Sequence, residues 1–210
     1  MSFNEIYDRQ GNLVGDFSGC KALVIGAGGI GAWVALECGL IGFGTIEVYD
    51  DDILEPSNLN RTPYRWSDVD RPKVDAIEEL ILERRPLTVV LKHRERFTDV
   101  TKKTWTPNTF VFDCTDLMAF KNHWMSQSDE FKQSHKYCKV GYDGFSVTYD
   151  ATLEDQTWGQ ETAYRATDSI FSAAMIIAAL AVTEATSPTI TGQPLCTFDI
   201  REILKDKCNG

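Results

Sequence analysis

The sequence predicts an α/β fold: a doubly wound, mainly parallel sheet that continues into an antiparallel second half. Three observations lead there. Apolar runs alternate with segments of helical periodicity. A glycine-rich turn joins the first run to the first helix. The later runs are continuously apolar, as strands covered on both faces are. With 210 residues, 43% hydrophobic and 25% charged, the chain suits one domain with a substantial core.

The elements follow in order. "CKALVIGAGGIG" reads as a strand entering a glycine turn, and "GIGAWVALECGLIGFG" as a helix closed by Gly42 and Gly44. "TIEVYD" is a second strand. In "DVDRPKVDAIEELILERRP", Val74, Ile77 and Ile81 keep helical spacing, Asp68 or Asp70 can cap, and Pro86 lies past the end. "LTVVLK" and "TFVFDC" read as strands buried on both faces, the second followed by a helix over "LMAFKNHWMSQSDEF". "KYCKVGYDGFSVTYD" reads as two strands meeting at Asp143-Gly144, a turn dipeptide. "ATLEDQTWGQETAYRA" is polar and reads as a crossing loop. A helix from about Ala166 to Thr183 follows, apolar nearly all round and so either core or a subunit seam, and then a last strand, "LCTFDI".

Composition removes several function classes. A net charge of −10 argues against a surface that tracks nucleic-acid phosphates. The start "MSFNEIYDRQ" lacks the basic-then-apolar pattern of an export signal, which leads us to expect a cytoplasmic protein. "SIFSAAMIIAALAV" is too short to span a bilayer, so no membrane role is expected. The six cysteines show no Cys-X-X-Cys spacing, and His93, His123 and His135 share no ligand spacing. Neither a disulfide framework nor a structural zinc is expected.

The chemistry starts at Gly26, Gly28, Gly29 and Gly31. These residues satisfy G-x-G-x-x-G after a strand and before a helix, the Rossmann-like arrangement, and Asp50 closes the second strand. Such a turn lets backbone approach phosphate at a helix N-terminus, while the acid accepts ribose hydroxyls. NAD and ATP both satisfy that much. The cations Arg61 and Lys73 separate the two, because splitting ATP requires positive charge for the departing pyrophosphate. Each residue also has a plainer reading: Arg61 as a surface ion-pair residue, Lys73 as a solvated helix start, Asp116 as a helix cap.

Five strings, "YDRQ", "GAGGIG", "VYDDDILEPSNLNRT", "RPKVDAIEEL" and "DCTD", stand in the order and approximate spacing of the ThiF/MoeB/HesA family, the adenylating domain shared with ubiquitin-activating enzymes, and the chain resembles it over roughly its first 120 residues. The resemblance implies one adenylation domain over 1–210, with a nucleotide-binding half at about 1–135 and an acceptor and dimer half at about 136–210. It implies that Asp50 is the ribose acid with Asp52 its neighbour near the metal or the adenosine, that Asn58, Arg61 and Lys73 contact phosphate, and that Asp116 holds magnesium. Arg9 resembles an arginine that the family delivers from a second subunit, which implies a homodimer.

The activity implied is ATP-dependent adenylation of the C-terminal carboxylate of a ubiquitin-like or sulfur-carrier protein ending in glycine, with release of pyrophosphate. The alternatives are a non-catalytic partner subunit of an activating enzyme and an NAD-dependent oxidoreductase. The chain departs from the family pattern in Leu117, where asparagine is usual, and Thr62, where glutamine is common. The zinc-binding cysteine pairs of many members are absent, and no cysteine lies in 151–165, so adenylation without a dedicated thioester cysteine is expected.

Overall fold

In a computed structural model, residues 3–10, 13–98, 106, 108–117, 119–150, 168–187 and 195–202 are described. The apolar runs pair into one seven-stranded sheet, in the order β3-β2-β1-β4-β5-β6-β7. The strands are β1 (Lys21–Ile25), β2 (Thr45–Tyr49), β3 (Val89–His93), β4 (Thr109–Asp113), β5 (Lys136–Asp143), β6 (Ser146–Asp150) and β7 (Leu195–Asp199). The first five are parallel, and β6 and β7 join antiparallel. The predicted parallel sheet with an antiparallel continuation is therefore the observed one.

The helices are α1 (Phe3–Tyr7), α2 (Gly31–Ile41), α3 (Lys73–Arg84), α4 (Ala119–Met125), α5 (Asp129–Ser134) and α6 (Phe171–Thr186). The larger core lies between the sheet and α2, α3 and α6 and includes Val24, Val34, Ile46, Ile77, Phe112 and Ile177. A second cluster on the opposite face joins Leu23, Tyr49, Val111, Phe120, Trp124 and Tyr137. α2 lies against the glycine turn because residue 31 has no side chain. A Cβ there would come within 1.8 Å of the Gly26 carbonyl oxygen. At its far end α2 stops at Gly42, whose φ of 113° places it in the left-handed region. There Tyr7 Oη donates to the Gly39 carbonyl at 2.9 Å and Gln10 Nε2 to the Ile41 carbonyl at 3.0 Å, so α1 is docked on that end.

Several expectations are corrected. β4 is buried throughout, but β3 is the edge strand, so Val89 and Leu91 are exposed rather than covered on both faces. Neither Asp68 nor Asp70 caps α3. Pro72 occupies that position, while Asp68 accepts from the Arg65 backbone N–H and pairs with Arg71, each at 2.9 Å. The helix expected after β4 is two short ones, because Ser128 Oγ accepts from the Phe131 N–H and starts α5 anew. α6 begins at Phe171 and not near Ala166, and the loop expected at 151–166 lies outside the described residues. One face of α6, with Ala174, Ile177 and Ala181, is buried, as expected of a core helix, and the other exposes Phe171, Met175 and Leu180. No helix among the described residues is long and apolar enough to cross a membrane.

Two predictions follow from packing and burial. Gly31→Ala forces its methyl onto the Gly26 carbonyl and should lose about 1–3 kcal/mol or more in urea unfolding. Gly28→Ala, whose Cβ would meet nothing within 4 Å, should stay within about 0.5 kcal/mol of the parent. The second concerns Glu37 of α2, whose carboxyl burial pushes up to about 8 from 4.5 and whose Oε2 has no hydrogen-bond partner among the described residues. An acid raised in the folded state stabilises it below its unfolded pKa, and that contribution is lost as pH rises through the folded value. Stability should therefore decline between pH 4.5 and about 8. Glu37→Gln should flatten the decline, gaining at most a few kcal/mol above that range when unfolding is followed against pH.

Candidate functional site

The carboxyl ends of β1, β2 and β4 meet where the strand order turns from β2-β1 to β1-β4, the position at which open α/β sheets bind ligands. Backbone bonds lock the three ends together. The Gly26 N–H donates to the Tyr49 carbonyl at 2.8 Å, and the Cys114 N–H to the Ile25 carbonyl at 2.9 Å. The glycine turn thus sits between the acidic segment after β2 and the "DCTD" segment after β4.

Asp50 joins the turn to the acidic segment. Its Oδ2 accepts the Ala27 N–H at 2.6 Å and its Oδ1 the Asp52 N–H at 2.8 Å. Burial raises its pKa, an effect opposed by Lys73 and by those two N–H groups. Lys73, at the start of α3, is itself buried and places Nζ 2.6 Å from Asp52 Oδ2. Asp51 pairs with Arg96 at 2.9 Å. Among the described residues, Asp50, Asp51 and Asp52 are the one group of His, Cys, Asp or Glu whose ligand atoms all lie within 4.8 Å of one another. All three carboxylates already have protein partners.

Arg61 reaches the turn from the other side. Trp33 Nε1 donates to its carbonyl at 2.9 Å, and its own Nη1 donates to the Ser57 carbonyl at 2.6 Å and to Asn60 Oδ1 at 2.9 Å. The side chain then lies over Gly29, where a Cβ would be 3.4 Å from both Arg61 Cδ and Nε. Above Gly28 the space is open. Asn58 Oδ1 accepts the Glu55 N–H at 3.0 Å and closes the short turn Pro56–Asn58 that presents Arg61. That oxygen's role is local.

Asp116 is exposed at the end of the "DCTD" segment, beside a buried network. Asp113 accepts from Thr115 Oγ1 at 2.7 Å, Tyr137 Oη at 2.9 Å and Lys139 Nζ at 3.1 Å. Lys139 also donates to the carbonyls of Thr115 and Leu117, at 2.6 and 3.0 Å, which bracket Asp116. Both charged side chains of this pair are fully buried. Arg9 is the candidate residue not brought to the site. It is exposed in the short turn Asp8–Gln10, at the opposite end of α2. Eleven residues of helix separate it from the glycine turn, a length of about 16 Å.

Three residues near the site were not singled out from the sequence. Lys139 had a visible signal, a cation inside an apolar strand, which a buried position tolerates only with a partner. Tyr64, whose buried hydroxyl donates to the Ala27 carbonyl at 2.8 Å, carried none. Tyr142 likewise carried none, yet its Oη is 2.7 Å from the Cβ position of Gly29. A separate cavity of about 440 Å³ is lined by Phe110, Trp124, Tyr137, Tyr149, Lys136 and Glu184 among others. It shares no residue with the glycine turn, the acidic segment or Arg61.

The chain resembles known proteins in sequence and in fold. The family model described as the ThiF family matches residues 12–197. The chain is 34% identical over 101 residues to the adenylyltransferase and sulfurtransferase uba4 of Aspergillus niger, covering 47% of this chain and 21% of that protein. It is likewise 34% identical over 101 residues to the sulfur carrier protein ThiS adenylyltransferase of Escherichia coli K12, covering 47% of this chain and 40% of that one. The crystal structure of PaaA superposes with a TM-score of 0.71 at 18% identity, over 94% of this chain and 64% of its own. The chain therefore spans about a fifth to two fifths of these two curated relatives.

The buried pair beside Asp116 gives a stability test. Lys139→Met strands the Asp113 carboxylate and should lose about 3–5 kcal/mol in chemical denaturation at neutral pH. The double variant Asp113→Asn/Lys139→Met should recover part of that loss, since no isolated charge remains on the pair.

Proposed function

The chain belongs to the ThiF family, and from that premise we propose that it is an adenylyltransferase, using ATP to activate the C-terminal carboxylate of a ubiquitin-like or sulfur-carrier protein. The observation that carries this reading is the placement of Arg61 over Gly29, beside a turn that Asp50 ties to the end of β2. A redox dinucleotide keeps its pyrophosphate intact and has no need of that cation. The names of the two relatives, adenylyltransferase in both and a sulfur carrier in one, support the same reading.

In this reading Asp50 accepts ribose hydroxyls, and the open space above Gly28 admits the phosphates to the N–H groups at the start of α2. Arg61 and Lys73 supply positive charge from opposite sides. An oxygen of the carrier's carboxylate attacks the α-phosphorus, an O–P bond forms, and the bond to the β-phosphate oxygen breaks with its electron pair leaving on pyrophosphate. No proton is transferred, so positioning and charge neutralisation carry the catalysis.

Asp116 suits magnesium, because it is an exposed carboxylate with no protein partner among the described residues, and magnesium binds through one or two carboxylates plus substrate phosphates. Bound there, the ion would neutralise phosphate charge. Lys139 holds the carbonyls on either side of that carboxylate and so fixes where it points.

Arg9 lies too far along α2 to serve its own chain's turn, which supports a homodimer in which each chain lends Arg9 to the other. A single domain in two halves, divided near residue 135, and a cytoplasmic location where ATP and carriers are available belong to the same proposal. A thioester step is not part of it. Cys38 and Cys138 are buried and burial pushes their thiols, and that of Cys114, well above the ordinary range, away from the reactive thiolate.

Arg61→Ala should fold normally, retain much of its nucleotide affinity and lower carrier-dependent ATP–pyrophosphate exchange at least about 10²-fold. Unchanged exchange would remove Arg61 from the mechanism. NADH binding by the parent protein with no ATP binding would overturn the reading itself.

A further inference from the structure

Tyr142 belongs to β5, in the half of the sheet remote in sequence from the glycine turn, yet its hydroxyl stands over that turn. A Cβ at Gly29 would lie 2.7 Å from Tyr142 Oη and 3.4 Å from Arg61 Nε, so the two groups stand side by side over the same residue. Both can donate, and among the described residues neither atom has a hydrogen-bond acceptor. Two such neighbouring donors above a backbone turn suit an anionic oxygen that reaches both.

The position of the hydroxyl is fixed by packing. The Tyr142 ring packs against the main core, and β5 holds it in register opposite Val147 of β6. Such an anchor contributes a hydrogen bond with little loss of side-chain freedom.

Distance along the chain selects the anion. Ala27, whose N–H is held by Asp50, is two residues before Gly29, at most about 7 Å of chain. That span separates a ribose from its first phosphate and falls short of the third. We propose that Tyr142 is a substrate-contacting residue whose phenol donates to the α-phosphate of the bound adenine nucleotide, sharing that group with Arg61. The inference rests on the adenylating reading and adds to it a contact from the acceptor half. Tyr142 would then hold the phosphoryl group that the carrier's carboxylate attacks, at the seam where the two substrates meet.

The test is calorimetric titration of the full chain and of Tyr142→Phe with adenosine, AMP and magnesium-ATP. Loss of one hydrogen bond to a charged acceptor should weaken AMP and ATP alike by about tenfold, with adenosine affinity and thermal unfolding unchanged. Equal affinities in parent and variant would overturn the inference while leaving the adenylating reading standing. Tighter phosphate binding by the variant would also overturn it, identifying the hydroxyl as an obstruction. So would a parallel loss of adenosine affinity, which marks a structural role. A parent protein that binds no adenine nucleotide would remove both readings together.

Discussion

The site depends on a carboxylate that does two jobs at one place. Asp50 takes the N–H of the glycine turn on one oxygen and that of its own acidic segment on the other. Without it, the end of β1 and the end of β2 would be tied only by backbone bonds below the turn. Burial makes its negative charge unfavourable, and the nearby Lys73 ammonium offsets part of that cost. Lys73 in turn is tolerated in a buried position at a helix start, where the dipole disfavours it, because Asp52 lies against it. Turn, acid and cation therefore form one electrostatic unit.

A second unit lies across the turn. The Asp113–Lys139 pair is as buried as any residue in the protein, and the lysine's remaining donors hold the carbonyls of Thr115 and Leu117. Buried ion pairs contribute little to stability against a well-packed apolar alternative. Here the pair shapes a segment: it closes the loop after β4 around Asp116, so that an exposed carboxylate rests on an interior network.

The parallel half of the fold was legible because its signals are local: continuous apolar strands, one glycine turn and helices of regular period. The segments read as strands and the Asp143-Gly144 turn appear where expected, Gly144 at a φ of 58°. The misreadings have two causes. That β3 is an edge depends on strands distant in sequence, whereas Pro72 at the start of α3 and the Ser128 cap of α5 are local features that outweigh the nearby aspartates and the apolar period. Within the site, Asp50, Arg61 and Lys73 belong to strings whose spacing can be read directly. Asn58 stands in the same string, and its Oδ1 closes the turn that carries Arg61. Tyr64, Lys139 and Tyr142 come from segments with no motif, and only folding brings them to the turn.

The ladder from β1 through β4 and β5 to β6 is unbroken, with every neighbouring pair in register. The two halves of the chain share one sheet, so they cannot open and shut about a linker as two-lobed kinases do. Reactants must therefore come to a stationary floor and are not enclosed by one half closing on the other. The entropy of bringing the glycine turn and the β5 segment together has already been met when the chain folds.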